Sequence, residues 1–352
     1  MNLKQLKKIF KNKKVFITGN TGFVGSYLSI TLSLMNSNLL CYSLKKINHN
    51  YLSNFKSYKK KIKTINDDLK NIARHKKAIK EFKPEIVIHL ASQPIVKTSY
   101  KNPVNTFNTN IMGTVNLLET LKDISSVKQI LIFTSDKVYK NQNNNRLNEN
   151  STLGGTDPYS ASKSSQDIIA NSYKESFFKK NKNVIIIRAG NIIGGGDWEL
   201  SRLLPDLFNS VYRNKKIVLR NPWAVRPWQH ILDVVNGIIK VLVKKSKKIE
   251  TKSIIFNIGP NNLSNITVLE LIKKIKKNHN NIDINFSIKK INFNESKVLK
   301  LSNKLFRKKI GWKQKLNINN SIQLTYNWYN NFYKNKKNIF KYTEDQILDF
   351  FK

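Results

Sequence analysis

The stretch "KVFITGNTGFVGSYLSITLSLMN" (14–36) decides the fold. Its first part, "KVFITGN" (14–20), is an apolar run ending near a glycine, as a buried strand does. Its second part, "GFVGSYLSITLSLMN" (22–36), has helical spacing. Gly19, Gly22 and Gly25 stand at the join in a GxxGxxG pattern. A tight turn needs glycine. Close backbone approach then lets the helix N-terminus face a pyrophosphate, where unsatisfied N–H groups and the helix dipole favour an anion. The competing reading is a plain structural turn between strand and helix.

The same rhythm continues along the chain. "NLLCYSL" (38–44), "KTINDDL" (63–69), "PEIVIHLAS" (84–92), "KQILIFTS" (128–135) and "NVIIIRAGNIIG" (183–194) read as further strands. "LKNIARHKKAIKEF" (69–82), "NPVNTFNTNIMGTVNLLETLKDI" (102–124) and "DPYSASKSSQDIIANSYKESFFKK" (157–180) read as helices. Wholly apolar strands alternating with helices predict an α/β fold, a Rossmann-like doubly wound parallel sheet. Residues 1–190 are expected to form a dinucleotide-binding domain, and 191–352 mostly a smaller substrate-binding lobe. "SIIFNIGP" (253–260) resembles another buried strand, so the two are expected to interleave.

A dinucleotide fold often carries an acid about 20 residues after its glycines, to hold the ribose hydroxyls. Here the second strand ends "CYSLKK", with no acid. Ser43 is left to make one hydrogen bond, and Lys45 and Lys46 would tolerate a 2′-phosphate, so the spacing leaves NAD and NADP both open. Asp68 and Leu69, at the end of the third strand, are candidates to flank an adenine.

Composition narrows the class. The chain has 352 residues and a formal charge of +41. Such a charge suggests a nucleic-acid or anionic-membrane binder. Yet only eight of the 63 basic residues are arginine, the side chain best suited to reading phosphates and bases. The lysines are spread along the chain, which points to compositional bias and solvation. No nucleic-acid or membrane partner is expected. No run approaches the roughly 18 apolar residues of a membrane span, and "MNLKQLKKIFKNKK" has no apolar signal core. Cys41 is the sole cysteine, so no internal disulfide forms and a cytoplasmic protein is expected. No Cys/His/Asp cluster has metal-ligand spacing, so no metal is expected.

The chemistry is carried by "DPYSASKS" (157–164) and "FTSDKVY" (133–139). Tyr159 and Lys163 lie four apart, on one helical face. A nearby ammonium stabilises tyrosinate and is expected to lower the Tyr159 pKa, making it a base for a hydroxyl proton. Alone, this pattern occurs often by chance. Joined to the glycine turn and to Ser135 at a strand end, it specifies oxidation of an alcohol by a nicotinamide cofactor. Asp136 and Lys137 follow Ser135 directly. They read either as a surface ion pair or as an acid and a base aimed at one substrate.

On these residues the chain resembles the extended short-chain dehydrogenase/reductase family of nucleotide-sugar enzymes. The matching stretches are "GNTGFVGSYL" (19–28), "IHLASQPIVKTSYKNPVNTFNTNIMGTVNLLE" (88–119), "TSDKVY" (134–139), "GGTDPYSASK" (154–163), "RAGNIIGGGDW" (188–198), "RLLPDL" (202–207) and "RPWQHILD" (226–233). "IGWKQKL" (310–316) and "NWY" (327–329) extend the likeness weakly. Sister hexose dehydratases typically have an Asp-Glu pair where this chain has Asp136-Lys137.

The resemblance implies a 4,6-dehydratase acting on a CDP-hexose in deoxysugar biosynthesis. Another nucleotide-sugar dehydratase or an epimerase is the alternative. It implies NAD held by Gly19, Thr21, Gly22, Phe23, Val24, Gly25, Ser43, Asp68, Leu69, Leu90, Ala91, Tyr159 and Lys163. It implies catalysis by Ser135, which orients the sugar C4 oxygen, and by Tyr159 and Lys163. Asp136 would be the elimination acid, and Lys137 either its base or a fixed charge beside the enolate. Gln93, Asn191, Gly195, Trp198, Arg202 and Arg226 are the expected substrate contacts; for Trp198, core packing competes. His89 and His230 are expected to pack rather than react. The helices at roughly 103–122 and 158–180 are expected to pair across a two-fold axis into a four-helix bundle, giving a homodimer.

Overall fold

A computed structural model describes residues 1–44, 62–140, 146–178, 180–246, 248–261, 264–278, 284, 286–288, 297–334 and 338–352. Lys45 and Lys46 lie outside the described residues. Seven parallel strands form the central sheet: β1 (Lys14–Thr18), β2 (Asn38–Ser43), β3 (Ile62–Asn66), β4 (Ile86–His89), β5 (Gln129–Ser135), β6 (Asn183–Ala189) and β7 (Ile254–Ile258). Their spatial order is β7-β6-β5-β4-β1-β2-β3. The order reverses between β1 and β4, the switch point where open α/β sheets bind ligands. The expected strand at 253–260 is β7, and it joins this sheet beside β6.

The strands are apolar on both faces because both faces are covered. Val15, Ile17, Leu39, Cys41, Ile88, Leu131, Ile185 and Ile187 belong to one core. Phe16, Leu40, Tyr42, Val87, Ile130, Ile132, Val184 and Ile186 belong to the other. Alternate residues of one strand point to opposite faces, so each strand feeds both layers. The first core also takes in residues from the helices Phe23–Leu34, Ile231–Lys244 and Ile318–Lys334. The second takes in residues from Ile72–Phe82, Gly113–Lys122 and Pro158–Ser176. Among the described residues, no helix is long and apolar enough to cross a membrane.

The helix expected over 102–124 is interrupted. It runs as Pro103–Phe107, a π-helical turn Asn108–Met112, and Gly113–Lys122. The wider turn carries Asn110, whose amide nitrogen donates to the Gln93 carbonyl at 3.2 Å and to Ser162 Oγ at 2.8 Å. Such turns are often found at functional sites.

The loop after β6 crosses close to the C-terminal helices. The Tyr27 hydroxyl donates to the Gly195 carbonyl at 3.0 Å, and the Trp328 ring lies against Gly195. A Cβ on residue 195 would sit 1.9 Å from Trp328 Cγ. Gly195→Ala is therefore expected to lower the unfolding free energy by about 1–3 kcal/mol through overpacking. Urea denaturation checks this; an unchanged midpoint would contradict it.

Candidate active site

Strand β5 ends at Ser135, and a single 3-10 turn, Asp136–Val138, follows. Ser135 caps this turn, its Oγ accepting from the Lys137 backbone N–H at 3.2 Å. The Asp136 carboxyl is only 2% exposed. It fits there because residue 190 has no side chain: a Cβ would lie within 1.8 Å of Asp136 Oδ2. Ser135 Oγ donates to Oδ1 at 3.0 Å, and Asn191 Nδ2 donates to Oδ2 at 3.1 Å. Burial pushes the Asp136 pKa above the usual carboxylate range, while Lys137, Ser135, Arg226 and Asn191 pull it down. A buried carboxyl with raised pKa is a candidate general acid. Lys137 is half-buried beside it.

Tyr159 enters on the helix Pro158–Ser176. Asp157 caps that helix, accepting from Ser160 N at 2.9 Å, and Pro158 occupies its first turn. The Tyr159 backbone N–H donates to Ser99 Oγ at 3.2 Å, and Ser135 pulls on the pKa of its hydroxyl. The expected lowering of the Tyr159 pKa does not hold. Burial pushes it up to about 12, against the pull of Ser135 and Arg202. Burial also pushes Lys163 down to about 7, against the pull of Asp167. Burial disfavours the charged form of both groups. Lys163 Nζ donates to the Phe133 carbonyl at 3.5 Å, so Lys163 is tied to β5 just before the turn Asp136–Val138.

The expected substrate residues divide. Arg202 approaches the site: its charge acts on Tyr159, while its own guanidinium donates to Asp197 at 2.9 Å. Arg226 is buried and faces Asp136. Asn191, expected toward the diphosphate, has a left-handed backbone (φ 47°) and gives its amide to Asp136. Gln93 spends its amide within its own loop, on Ile95 O at 3.1 Å and Thr106 Oγ1 at 2.9 Å. Trp198 lies among aromatic rings, with Phe332 at 4.7 Å and Tyr329 at 5.4 Å. His89 links β4 to its neighbours, Nδ1 to Thr18 Oγ1 at 2.7 Å and Nε2 to Thr114 Oγ1 at 3.0 Å. His230 is buried, with Nδ1 accepting from the Leu232 N–H at 3.3 Å.

At the glycine turn, Gly19 has φ 75° and packs on β4's exit; a Cβ there would lie 2.6 Å from Ala91 N. Gly25 packs against the Gly19 carbonyl, where a Cβ would come within 2.2 Å. The helix Phe23–Leu34 begins at Gly22 with no side-chain cap. Ser43 Oγ donates to Asn20 Oδ1 at 2.6 Å, shaping the turn beside Thr21. Asp68 and Leu69 follow the end of β3, where Asp68 O accepts from the Tyr42 hydroxyl at 3.2 Å.

Three features were not anticipated from the sequence: the room made at Gly190, the π-helical turn, and a buried ion pair. In that pair Arg188 Nε donates to Asp167 Oδ2 at 2.5 Å. Arg188 also donates to the Tyr139 hydroxyl at 2.9 Å, and Tyr139 donates to Asn257 Oδ1 at 2.6 Å.

A glycine turn at the sheet's switch point, with Ser135 at a strand end and Tyr159 and Lys163 on the helix Pro158–Ser176, defines a dehydrogenase-type Rossmann site. The particular family follows from comparison. A family model described as GDP-mannose 4,6 dehydratase matches residues 16–325, and the chain belongs to this family. It is 37% identical over 276 residues to CDP-glucose 4,6-dehydratase of Salmonella typhimurium, covering 76% of this chain and 77% of that one. It is 26% identical over 343 residues to human dTDP-D-glucose 4,6-dehydratase, covering 94% of each. A solved dTDP-glucose 4,6-dehydratase from Bacillus anthracis, in complex with NAD, superposes with TM-score 0.76 at 24% identity, over 94% of this chain and 99% of that one. Epimerase Mth375 from Methanothermobacter thermautotrophicus superposes with TM-score 0.84 at 18% identity, over 96% and 97%.

Lys163 illustrates the cost of the site. Its folded pKa of about 7 lies below the unfolded value near 10.4, so between these the folded chain binds fewer protons. Stability therefore rises with pH across that window, and the burden of Lys163 is full below it. Lys163→Met is expected to gain roughly 2 kcal/mol at pH 6, less at pH 9, and to abolish turnover. Denaturation at the two pH values measures this; a loss of stability at pH 6 would contradict it.

Proposed function

We propose that the protein is a cytoplasmic CDP-glucose 4,6-dehydratase, converting CDP-glucose to CDP-4-keto-6-deoxyglucose and water in deoxysugar biosynthesis of the O-antigen type. The observation that carries this reading is the buried Asp136 carboxyl, paired with Lys137 on the turn beside Ser135 and Tyr159. An epimerase acting at C4 has no need of an elimination acid. The Salmonella relative, a CDP-glucose 4,6-dehydratase, supports the cytidine.

The turn at Gly19–Gly25 fits NAD. The helix start at Gly22 has backbone donors with no side-chain cap, and Gly19 and Gly25 keep the backbone clear of side chains. Thr21, Phe23, Val24, Leu90 and Ala91 would line it, with Ser43, Asp68 and Leu69 toward the adenosine end. When bound, NAD supplies the two-electron acceptor that the C4 oxidation needs and the donor for the final reduction at C6.

The chain's own groups do the rest. Tyr159 takes the C4 hydroxyl proton, and Ser135 holds that oxygen. Lys163, four residues on along the same helix, supplies positive charge in its protonated form. With C4 a ketone, the C5 proton is acidic. Lys137 removes it, and Asp136 protonates the leaving C6 hydroxyl. A charged Lys137 would instead stabilise the enolate. Arg202 and Arg226 would hold the diphosphate, because guanidinium binds phosphate bidentately. Gln93 and Asn191 spend their amides inside the protein, and Gly195 and Trp198 pack against the helix Ile318–Lys334, so the diphosphate contact is assigned to the two arginines.

A homodimer fits the helices Pro103–Phe107, Gly113–Lys122 and Pro158–Ser176. Val104 is 69% exposed and Ile168 58%, apolar surface that pairing into a four-helix bundle would cover.

The purified protein, given NAD, is expected to turn over CDP-glucose and not UDP-, GDP- or dTDP-glucose at a comparable rate. The alkali-dependent absorbance of a 4-keto-6-deoxy sugar reports this, and silence with CDP-glucose would sink the reading. Lys137→Ala is expected to leave C4 oxidation and to block solvent deuterium exchange at C5. Unchanged exchange would remove Lys137 as the base.

A further inference from the structure

Resting on the dehydratase reading, we propose that Asn191 is a positioning residue for the elimination acid, with Gln229 fixing it from behind. The Asn191 amide holds one oxygen of Asp136, so that the carboxyl meets the C6 hydroxyl, and takes no part in binding the diphosphate.

Residue 191 follows Gly190 directly and has φ 47°. Glycine enters this left-handed region freely, and asparagine enters it more readily than most side chains do. Glycine alone would meet the demand of the backbone. What asparagine adds is an amide, and its Nδ2 donates to Asp136 Oδ2 at 3.1 Å. Ser135 Oγ donates to the other oxygen at 3.0 Å. The carboxyl is thus held at both oxygens, over the room left at Gly190. An amide nitrogen carries hydrogens and no acceptor site. It steadies the carboxyl without competing for its acid proton, which stays available to a leaving hydroxyl. Once that proton has gone, the same bond favours the carboxylate that remains, in line with the downward pull of Asn191 on the Asp136 pKa.

Gln229 is fully buried. Its backbone N–H donates to the Asn191 carbonyl at 3.2 Å. Its side-chain Nε2 donates to the Gly190 carbonyl at 3.0 Å and to the Ile258 carbonyl, at the end of β7, at 2.9 Å. Gln229 and His230 also pair in parallel with Ile192 and Ile193. The turn that carries the amide is therefore bonded before, at and after residue 191. A misplacement of roughly 1 Å at a reacting group costs on the order of 10²-fold in rate. A turn fastened at three points suits that demand.

The role separates two events in the elimination. Lys137 takes the C5 proton. The electron pair left behind forms the C5–C6 double bond as the C6–O bond breaks, and Asp136 gives its proton to the departing oxygen, which leaves as water. With the acid misplaced, C5–H still ionises but C6–O does not break. A solvent proton then returns to C5, the oxidation at C4 reverses, and CDP-glucose is released with solvent hydrogen at C5.

The test reads both events together. CDP-glucose is incubated in deuterium oxide with NAD and wild type, Asn191→Gly, Asn191→Asp or Gln229→Met. Product is measured, and mass spectrometry gives the deuterium at C5 of recovered CDP-glucose. Asn191→Gly, which suits the left-handed turn, is expected to lower product formation by about 10²-fold and to raise the ratio of exchange to product by a similar factor. Gln229→Met is expected to move the ratio the same way, by less. Calorimetry with CDP is expected to show wild-type affinity for Asn191→Gly. Product that falls at an unchanged ratio would make Asn191 merely structural and overturn the proposal. So would weaker CDP binding at an unchanged ratio, which would return the amide to the diphosphate. Asn191→Asp tolerates the same turn and loses the donor, so it carries the comparison if the glycine variant does not fold. Wild type inactive on CDP-glucose would instead strike down the dehydratase reading, and the positioning role with it.

Discussion

The site depends on one register. β5 pairs with β6 so that Ser135 stands opposite Ala189, and the two strands end flush. The residues that follow, Asp136 on one side and Gly190 and Asn191 on the other, therefore leave the sheet at the same edge. A slip of one residue would turn every side chain of the strand to the other face. Given this register, the carboxyl of Asp136 must lie over residue 190, and only glycine leaves room for it. The same placement brings the Asn191 amide to one carboxyl oxygen and Ser135 to the other. The burial that raises the Asp136 pKa thus follows from strand pairing.

A second layer holds this edge from behind. Arg188 on β6 pairs with Asp167, one helical turn beyond Lys163. It also reaches Tyr139, just past the catalytic turn, and Tyr139 reaches Asn257 on β7. The Asn257 backbone N–H donates to Glu149 Oε1 at 2.9 Å. Helix, turn and two strand ends are thereby tied through buried polar groups. Removing one partner from a buried ion pair typically costs about 3–5 kcal/mol, because the other charge is left uncompensated. The position of Lys163 is therefore set by an ion pair that itself touches no reacting atom.

Much of this was legible in the sequence, and for a local reason. Apolar strands, the glycine turn and the Tyr159–Lys163 spacing are written in neighbouring residues, and β1, β4, β5, β6 and the helix Pro158–Ser176 lie where those patterns place them. Other features depend on residues far apart in the chain. Asp167 and Arg188 are 21 residues apart and meet only when the helix packs on β6. Gly190 reads as one of several glycines in "RAGNIIGGGDW", and nothing local says that its missing side chain makes room for a carboxyl. Asn191 and Gln93 carry amides equally able to meet a ligand or a neighbour, and tertiary placement turned them inward. The π-helical turn follows no 3.6-residue period, so a helical pattern runs through it unmarked.

The acidities of Tyr159 and Lys163 show how burial governs reactivity here. Burial pushes Tyr159 up to about 12, which keeps the proton on the phenol, and Lys163 down to about 7. The proposed oxidation needs a tyrosinate beside an ammonium. Positive charge placed against the phenol, such as an oxidised nicotinamide brings, favours the ion pair over the neutral pair. Burial thus keeps the base protonated and unreactive in the protein alone. A site of the same residues open to water would lower the barrier to forming tyrosinate, but would lose the strong local field that makes its charges effective.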